Sequence, residues 1–211
     1  MALIEGDGRP NVLEGTSAAD QIFGFGGDDL IFGRLRRDEI DAGRGDDEVE
    51  GGWGNDLVFG REGNDDIEGD NGNDVLAGNA GHDEIHGERG ADRLGGGNGR
   101  DDLNGGEGDD RLWGGAWRDV LEGDEGDDLL VGGRGADIFE FGIDDGNDTV
   151  RDFEDERDRL DLTDLDFDNA DEALDTASQV GAHVVFGLGS GTQVSLLRTE
   201  LADFDAGDLI I

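Results

Sequence analysis

Apolar positions recur every nine residues along the first two thirds of the chain. From Gly15 to Glu140 the sequence divides into fourteen consecutive nonapeptides without an insertion, and a weaker one, Gly6–Glu14, precedes them. The eighth place is apolar in every nonapeptide, and the sixth place is Asp in all fourteen. A frame that holds over fifteen periods indicates a solenoid, in which each repeat packs only against its neighbours.

The eighth-place side chains are the predicted core. One nonapeptide cannot bury a single apolar side chain alone, whereas stacked nonapeptides can bury a continuous ladder of them. The period of nine and the density of glycine match no helical face, so the repeats are predicted to be β-structure. The predicted core residues are Leu13, Ile22, Ile31, Ile40, Val49, Val58, Ile67, Leu76, Ile85, Leu94, Leu103, Leu112, Leu121, Leu130 and Phe139.

Each nonapeptide combines a turn with a short strand, as "GGWGNDLVF" (Gly51–Phe59) illustrates. Glycines at the first and fourth places are expected to allow the left-handed backbone of a tight turn. The last three residues are expected to be extended, with the eighth pointing inward and its neighbours outward.

The charge balance of the chain predicts a cationic partner. Asp and Glu number 56 against 16 basic residues, all of them Arg, which gives a formal net charge of −40, and only 34% of residues are apolar. Such a chain stays unfolded unless its charge is neutralised. Nucleic acids and anionic membranes have the wrong sign, so metal cations are the expected partner. The acidic surface of a halophilic protein is an alternative, but it does not require the acids to be periodic.

Other features of the sequence narrow the class of protein. Cys is absent, so disulfides and thiolate metal sites are excluded. The first residues, "MALIEGDGRP", show neither the basic nor the apolar region of a signal peptide. No segment approaches the length of about 18 apolar residues that a membrane span needs.

The nonapeptide resembles G-G-x-G-x-D-x-U-x, the repeat-in-toxin (RTX) sequence of secreted bacterial toxins, proteases and lipases. The resemblance implies an all-β fold, with a parallel β-roll over residues 1–140 in which two nonapeptides make one coil. It also implies that calcium lies between turns two nonapeptides apart, bound by Asp carboxylates and turn carbonyls. Such a ligand set suits a hard cation that takes six to eight oxygens.

The resemblance implies the following site residues. Two stacks of intact turns predict about eight calcium sites, with at most about thirteen if every turn binds an ion. Eight ions would cancel sixteen of the forty negative charges. The implied ligands are the carboxylates of Asp29, Asp47, Asp56, Asp65, Asp74, Asp83, Asp92, Asp101, Asp110, Asp119, Asp128 and Asp137 and the turn residues Gly54, Gly63, Gly72, Gly81, Gly90, Gly99 and Gly108.

Some turns depart from the pattern at the fourth place. A bulky side chain makes a positive φ costly, so these turns are expected to bind calcium poorly. We hypothesise that Arg34, Arg36 and Arg37 replace a missing ion with fixed positive charge. The fourth-place residues that are not glycine are Arg9, Ala18, Arg36 and Trp117.

The repeat ends near Phe141, and residues 141–211 are predicted to form a small α+β cap. Residues 146–167 are predicted to contain two short strands. A helix is predicted over 168–180, capped by Asp168 or Asn169, and a hairpin over 183–197. Such a cap would cover the open end of the roll.

The last part of the chain resembles the C-terminal region of serralysin-type proteases. The similarity lies at Asp148, at "RDF" (Arg151–Phe153) and at "DRLDL" (Asp158–Leu162). The terminal "DFDAGDLII" resembles the uncleaved signal of bacterial type I secretion systems. The resemblance implies export by that machinery, an extracellular location and folding on extracellular calcium.

The biological context admits several alternatives. Members of the family carry a catalytic or pore-forming domain before the repeats, and only about five residues precede the first nonapeptide here. The chain is therefore either a complete exported protein or a non-catalytic part of a protease, lipase or polysaccharide epimerase. In the last case its Arg residues would hold an acidic polysaccharide. A surface-layer or adhesion protein is a further alternative.

No catalytic site is predicted. "HDEIH" (His82–His86) lacks the H-E-x-x-H spacing and the helix of a zinc protease. "GLGSG" (Gly187–Gly191) lacks the spacing of a serine nucleophile elbow and is explained by a hairpin turn. The spacing of Asp164, Asp166 and Asp168 is similar to the start of an EF-hand, but no glycine follows where that loop needs one.

The three tryptophans form a separate candidate surface. Trp53, Trp113 and Trp117 would suit sugar stacking if they lay together. Scattered aromatic residues at the surface are the favoured interpretation.

Overall fold

Two parallel β-sheets face each other across a narrow core, and the chain passes between them every nine residues. The computed structural model describes residues 1–165, 167–189, 191–202 and 204–211. Ile22 lies opposite Ile40, and Ile40 lies opposite Val58, so the register advances by eighteen residues per coil. Two nonapeptides therefore make one coil, and the predicted parallel β-roll is confirmed.

The strands of the roll alternate between the sheets. Odd-numbered strands form sheet 1 and even-numbered strands form sheet 2. In chain order they are β1 (Leu3–Glu5), β2 (Val12–Glu14), β3 (Gln21–Phe23), β4 (Leu30–Phe32), β5 (Glu39–Arg44), β6 (Glu48–Glu50), β7 (Leu57–Glu62), β8 (Asp66–Glu68), β9 (Val75–Ala80), β10 (Glu84–His86), β11 (Arg93–Asn98), β12 (Asp102–Asn104), β13 (Arg111–Ala116), β14 (Val120–Glu122), β15 (Leu129–Arg134) and β16 (Ile138–Glu140).

The eighth-place side chains fill the space between the sheets. All fifteen, from Leu13 to Phe139, are buried and belong to one hydrophobic cluster. Each buried aliphatic side chain contributes about 1.5–3 kcal/mol relative to an exposed one. Their neighbours at the seventh and ninth places face outward, so the three-residue strands of the roll have the one inward residue that was expected. Six strands of sheet 1, β5, β7, β9, β11, β13 and β15, are longer and also bury the first place of the next nonapeptide.

The outer faces of the two sheets differ in charge. On sheet 1, outward positions carry apolar side chains such as Leu57, Phe59 and Val75, which are half-buried. On sheet 2 they are mostly acidic, and at the seventh and ninth places the acids are Glu14, Glu48, Glu50, Asp66, Glu68, Glu84, Asp102, Glu122 and Glu140. The negative charge of the chain is thus concentrated on the turns and on sheet 2.

The C-terminal segment extends both sheets. Strands β17 and β21 continue sheet 1, β18 and β22 continue sheet 2, and β19 and β20 add antiparallel strands at the edge of sheet 1. The two strands predicted over 146–167 and the hairpin predicted over 183–197 are confirmed. The elements are β17 (Asn147–Val150), β18 (Arg159–Asp161), α1 (Ala170–Leu174), β19 (Ala177–Val180), β20 (His183–Gly189), β21 (Thr192–Leu197), a 3-10 turn (Ala206–Asp208) and β22 (Leu209–Ile210).

The predicted helix over 168–180 is wrong in its second half. Asn169 caps α1, and its side chain accepts a hydrogen bond from the Glu172 amide at 3.2 Å. The Thr176 hydroxyl donates to the Ala173 carbonyl at 2.7 Å where the helix ends. The chain then pairs with β20 as β19, because this pairing satisfies backbone groups that an open sheet edge would leave free.

Aromatic side chains close the end of the core. The ring centroids of Phe139 and Phe153 are 6.3 Å apart, and Phe204 lies 5.5 Å from Phe153 and 5.2 Å from Phe186. Because sheet pairing continues from β15 to β17 and from β16 to β18, the division into residues 1–140 and 141–211 stays a prediction. None of the helices in the described part of the chain is long and apolar enough to cross a membrane.

Candidate metal centre

The sixth-place aspartates form two columns, one along each edge of the roll. Every one of these side chains is at most 3% exposed. Successive members lie one coil, or eighteen residues, apart. Column 1 consists of Asp20, Asp38, Asp56, Asp74, Asp92, Asp110 and Asp128, and column 2 of Asp29, Asp47, Asp65, Asp83, Asp101, Asp119 and Asp137.

One carboxylate oxygen of each aspartate holds the backbone of the preceding coil. The amide of Asp56 donates to Oδ1 of Asp74 at 2.6 Å, and in column 2 the amide of Asp65 donates to Oδ1 of Asp83 at 3.0 Å. The same bond recurs along both columns. Sixth-place Asp is therefore a structural residue as well as a candidate ligand.

The other carboxylate oxygen, Oδ2, is buried without a hydrogen-bond partner. A buried unpaired polar atom costs about 1–3 kcal/mol, and more when it is charged. A row of such atoms therefore indicates positions at which a cation would supply the missing partner. The unpaired Oδ2 atoms belong to Asp29, Asp38, Asp47, Asp56, Asp65, Asp74, Asp83, Asp92, Asp101, Asp110, Asp119, Asp128 and Asp137.

Backbone carbonyls converge on the same oxygens beside the first-place glycines. A Cβ added at Gly69 would lie 2.8 Å from the Gly87 carbonyl oxygen and 2.9 Å from Asp74 Oδ2. A Cβ added at Gly105 would lie 2.6 Å from Asp110 Oδ2. The absence of a side chain thus leaves an oxygen-lined space shared by a carboxylate and the next coil.

The reason for glycine differs between places in the repeat. The first-place glycines do not have positive φ, contrary to expectation; they are required for space. The fourth place is left-handed in most turns, as expected. The second place is left-handed as well, which sequence reasoning missed because that place is often not glycine. Non-glycine residues with positive φ at the second place are Phe25, Arg34, Arg61, Asp70, Asn79, Glu88 and Asp124.

The carbonyl oxygen of a fourth-place residue packs against the Cα of the fourth-place glycine in the following coil. Gly81 has φ of 155°, and a Cβ there would overlap the carbonyl oxygen of Gly63 in the preceding coil. The same overlap occurs at each predicted glycine ligand, so these turns leave no room for a side chain. That their carbonyls bind calcium stays a prediction. The glycines concerned are Gly54, Gly63, Gly72, Gly81, Gly90, Gly99 and Gly108.

Burial raises the pKa values of the column aspartates. Burial is the largest cause in each case, and the hydrogen bond from a backbone amide offsets part of it. The carboxyl groups raised from 3.8 to a pKa of about 7 are Asp56, Asp65, Asp74, Asp92, Asp119 and Asp128. Burial thus favours the protonated form of these carboxyl groups unless a cation compensates the charge of the ionised form.

Asp20 is the exception in column 1. Its Oδ2 accepts hydrogen bonds from the Thr16 amide and hydroxyl, both at 2.7 Å, and its Oδ1 accepts one from the Ala2 amide. The Ala2 amide, followed by the Thr16 hydroxyl, lowers the pKa of this carboxyl. Thr16 thus provides hydrogen-bond donors for Asp20 Oδ2, whereas Oδ2 of the other column aspartates has no partner among the described residues.

Both columns continue into the C-terminal segment, which sequence reasoning did not assign as site. The Asp128 amide donates to Asp148 Oδ1 and the Asp137 amide donates to Asp158 Oδ1, each at 3.0 Å. Burial raises the pKa of Asp148 to about 8. The sequence contained a signal, because Asp148 and Asp158 belong to the residues that resemble serralysin-type proteases. Their spacing from Asp128 and Asp137 is twenty and twenty-one residues, so they do not follow the nine-residue period.

The turns with bulky fourth-place residues are left-handed but differ from the intact turns. Arg36 and Trp117 have φ of 73° and 93°, whereas Gly72 and Gly81 have φ of 153° and 155°. Asp38 beside Arg36 has the same unpaired Oδ2 as its neighbours and belongs with the candidate ligands. Arg34 pairs with Glu14 at 2.7 Å on the surface, so its charge is directed away from the column.

The two histidines of "HDEIH" do not form a metal site together. His82 lies in a turn and accepts from the Arg100 amide at 2.8 Å, while His86 lies on β10 and its ring faces Glu84. Asp166 of the EF-hand-like spacing, Ser190 of "GLGSG" and Asp203 of the terminal motif lie outside the described residues.

The donor set fits calcium. Across the described residues no group of three or more His, Cys, Asp or Glu side chains is arranged to hold a metal ion. The oxygens that lie together in the roll are an Asp Oδ2 and a backbone carbonyl of the next coil, as at Asp74 and Gly87. Such an all-oxygen set matches a hard cation that takes six to eight ligands, and it lacks the nitrogen and sulfur donors that favour zinc.

The repeats match a known sequence family. The RTX calcium-binding nonapeptide repeat (4 copies) matches residues 5–35, 33–67, 59–94, 68–103, 95–116, 104–139 and 118–150. The chain belongs to this RTX repeat family. The RTX assignment agrees with the columns of aspartate and with the register of eighteen residues.

A solved structure of an extracellular lipase resembles the RTX chain in fold. The extracellular lipase LipA from Serratia marcescens has a TM-score of 0.54 at 19% identity, and the match covers 93% of this chain and 40% of the lipase. The chain thus spans about two fifths of the lipase. The AlgE6R3 subunit of the Azotobacter vinelandii mannuronan C5-epimerase has a TM-score of 0.24 at 25% identity, over 69% of this chain and 77% of the subunit. No curated protein matches the sequence.

Proposed function

We propose that this chain is a non-catalytic calcium-binding module of a secreted protein, which folds when it meets extracellular calcium. The observation that carries the proposal is the set of buried, unpaired Oδ2 atoms along the two columns. Without a cation these carboxylates oppose folding, because their burial is not compensated. With a cation they bridge successive coils.

Calcium binding is expected to supply stability of the size of a domain. A site at ten times its dissociation constant adds about 1.4 kcal/mol, so about eight independent sites would add about 11 kcal/mol. Domains are typically stable by about 5–15 kcal/mol. Extracellular calcium modules bind at roughly 10⁻⁴ to 10⁻³ M, so the chain would stay unfolded in a calcium-poor cytosol and would suit passage through a type I secretion channel.

The test is circular dichroism of the full chain during titration with calcium after treatment with a chelator. We expect a disordered spectrum without divalent ions and a strand-rich spectrum in millimolar calcium. Magnesium at the same ionic strength is the control, because it demands a smaller octahedral site and keeps its waters. A strand-rich spectrum that persists in chelator would contradict the proposal.

The number of ions is a separate measurement. Equilibrium dialysis against radioactive calcium gives the stoichiometry of the folded chain. The unpaired Oδ2 atoms favour about thirteen sites rather than about eight, since they include those of Asp38 and Asp119 in the turns with Arg36 and Trp117. A value near eight would favour the sequence-based count.

A second candidate function is the accessory module of a larger secreted enzyme. The observation that favours it is the match to two fifths of an extracellular lipase. Mass spectrometry of the protein secreted by its native cells tests this candidate. A polypeptide much longer than 211 residues would support it. A mass equal to that of this chain would contradict it.

A further inference from the structure

Three arginines converge at one cleft near the C-terminal end of sheet 2. Arg118, Arg157 and Arg159 line a cleft of about 210 Å³ together with Ala136, Asp137 and Ile138. Three of the sixteen basic residues of a chain with net charge −40 thus lie at one place. Such a concentration of cations against the charge balance of the chain needs an explanation.

The fold places these arginines in register. Ile138 pairs with Arg159 across β16 and β18, which sets the Arg159 side chain on the outer face of sheet 2. Arg118 and Arg157 each precede a ladder aspartate, Asp119 and Asp158, in turns at the same edge of the roll. Each arginine is solvent-exposed, while Ile138, which also lines the cleft, is only 7% exposed.

Two of the three guanidinium groups have no intramolecular counter-ion. Arg157 pairs with Glu154. Within the described residues, neither Arg118 nor Arg159 forms an ion pair. Both guanidinium groups therefore keep their N–H donors available for an external anion.

The three arginines do not form hydrogen bonds with Asp137, the member of column 2 that lines the cleft. The Asp137 residue is 1% exposed, and its Oδ2 has no hydrogen-bond partner within the described residues, so none of the three arginines donates to it. Their charge is thus directed at the opening of the cleft.

We propose that this cleft binds a small organic carboxylate. The planar guanidinium forks of Arg118 and Arg159 match the two oxygens of a carboxylate and are always charged. Ala136 and Ile138 provide an apolar surface for the carbon skeleton of the ligand, which an inorganic anion would not use. This site borders column 2 at the buried Asp137 and takes a ligand of the opposite charge to calcium.

The test uses the full chain, folded in saturating calcium. Glucuronate is titrated by isothermal calorimetry, with glucose as the neutral analogue and with free calcium and ionic strength held constant. Sodium sulfate at equal ionic strength tests for a tetrahedral inorganic anion. We expect glucuronate to bind with 1:1 stoichiometry, and glucose and sulfate to bind at least about tenfold more weakly, since the loss of one charge-assisted contact changes affinity by about that factor.

The double variant Arg118→Gln/Arg159→Gln should weaken glucuronate binding by at least about tenfold. Arg134→Gln is the matched control because it removes the charge of an exposed arginine outside the cleft. Circular dichroism in calcium checks that each variant folds. If the double variant does not fold, Arg118→Lys keeps the charge, loses the fork and should still weaken binding.

Two results would overturn the proposal. Equal glucuronate affinities of the double variant and of Arg134→Gln would remove these arginines from the site. Sulfate affinity equal to or above that of glucuronate would assign the cleft to inorganic anions.

Discussion

The backbone amide of Asp56 donates a 2.6 Å hydrogen bond to Oδ1 of Asp74, one coil later, while Oδ2 of Asp74 is buried without a partner. One carboxylate thus has two distinct tasks. Its first oxygen fixes the stacking of the turns, and its second leaves a negative charge for a cation. These tasks can be separated by mutation.

Asp74→Asn is expected to change stability in opposite directions with and without calcium. Asn retains an oxygen for the Asp56 amide but lacks the charge. In saturating calcium the variant should lose about 1–3 kcal/mol through weakened sites, whereas in chelator it should form compact structure more readily. Urea unfolding in calcium and circular dichroism in chelator measure the two effects.

Asp20→Asn is the matched control for that variant, because Thr16 already satisfies Asp20 Oδ2. Asn at this position loses the hydrogen bonds from Thr16 and some stability with them, but the number of calcium ions bound should equal that of the parent chain. Equal numbers of bound calcium ions in Asp74→Asn and Asp20→Asn would mean that the unpaired oxygen is not a calcium ligand.

Gly81→Ala is expected to disrupt the roll. A Cβ at this position overlaps the Gly63 carbonyl oxygen, and φ is 155°. The backbone must shift, so we expect a loss of at least about 3 kcal/mol in saturating calcium. The control is Gly187→Ala on β20, where an added Cβ meets nothing within 4 Å. Thermal unfolding of both variants distinguishes steric overlap from a general effect of removing glycine, which would lower both melting temperatures alike.

Arg36→Gly is expected to stabilise the calcium-loaded roll. Arg36 has φ of 73° in the left-handed region, which costs a non-glycine residue about 1–2 kcal/mol. Replacement by glycine should recover about 1 kcal/mol in chemical unfolding. Arg37→Gly removes the same charge from the neighbouring position and should give no gain. If Arg36→Gly instead destabilises the roll, the guanidinium group acts as fixed charge in place of an ion, as the sequence suggested.

Acid is expected to promote folding in the absence of calcium. The pKa of the Asp56 and Asp128 carboxyls is about 7 in the roll against 3.8 ordinarily, so the folded state binds protons more tightly than the unfolded chain. The stability of the calcium-free roll therefore falls as pH rises from about 4 through 7. Circular dichroism in chelator should show more strand at pH 5 than at pH 8, with sedimentation to exclude aggregates. A disordered spectrum at both values would contradict this expectation.

The sequence predicted the features that depend on period. The eighth-place ladder and the sixth-place aspartates follow from spacing alone, because a solenoid repeats its environment in every coil. The sequence could not predict that Oδ1 accepts a backbone hydrogen bond while Oδ2 has no partner in the described part of the chain, since this depends on the distance between coils. The left-handed second place was missed because Arg61 and Phe25 give no sign of positive φ, whereas glycine does.

The C-terminal segment was less predictable for a physical reason. Residues 177–180 have no strong preference of their own, and they become a strand because β20 offers a free edge. Asp148 and Asp158 join the columns after spacings of twenty and twenty-one residues rather than eighteen. A search for period nine cannot find them, although they complete both ladders.

The sixth-place carboxylate bonds all run toward one end of the roll, and this gives the buried columns a polarity. Within the columns every coil receives its acceptors from the coil on its C-terminal side, and the last acceptors come from Asp148 and Asp158. The exposed fifth-place side chains run the other way, since Asp28 accepts from the Asp46 amide and Asp46 accepts from the Asn64 amide. Removal of the C-terminal segment would therefore leave the buried amides of Asp128 and Asp137 without acceptors, whereas removal of the first coil would leave every remaining column amide with its acceptor.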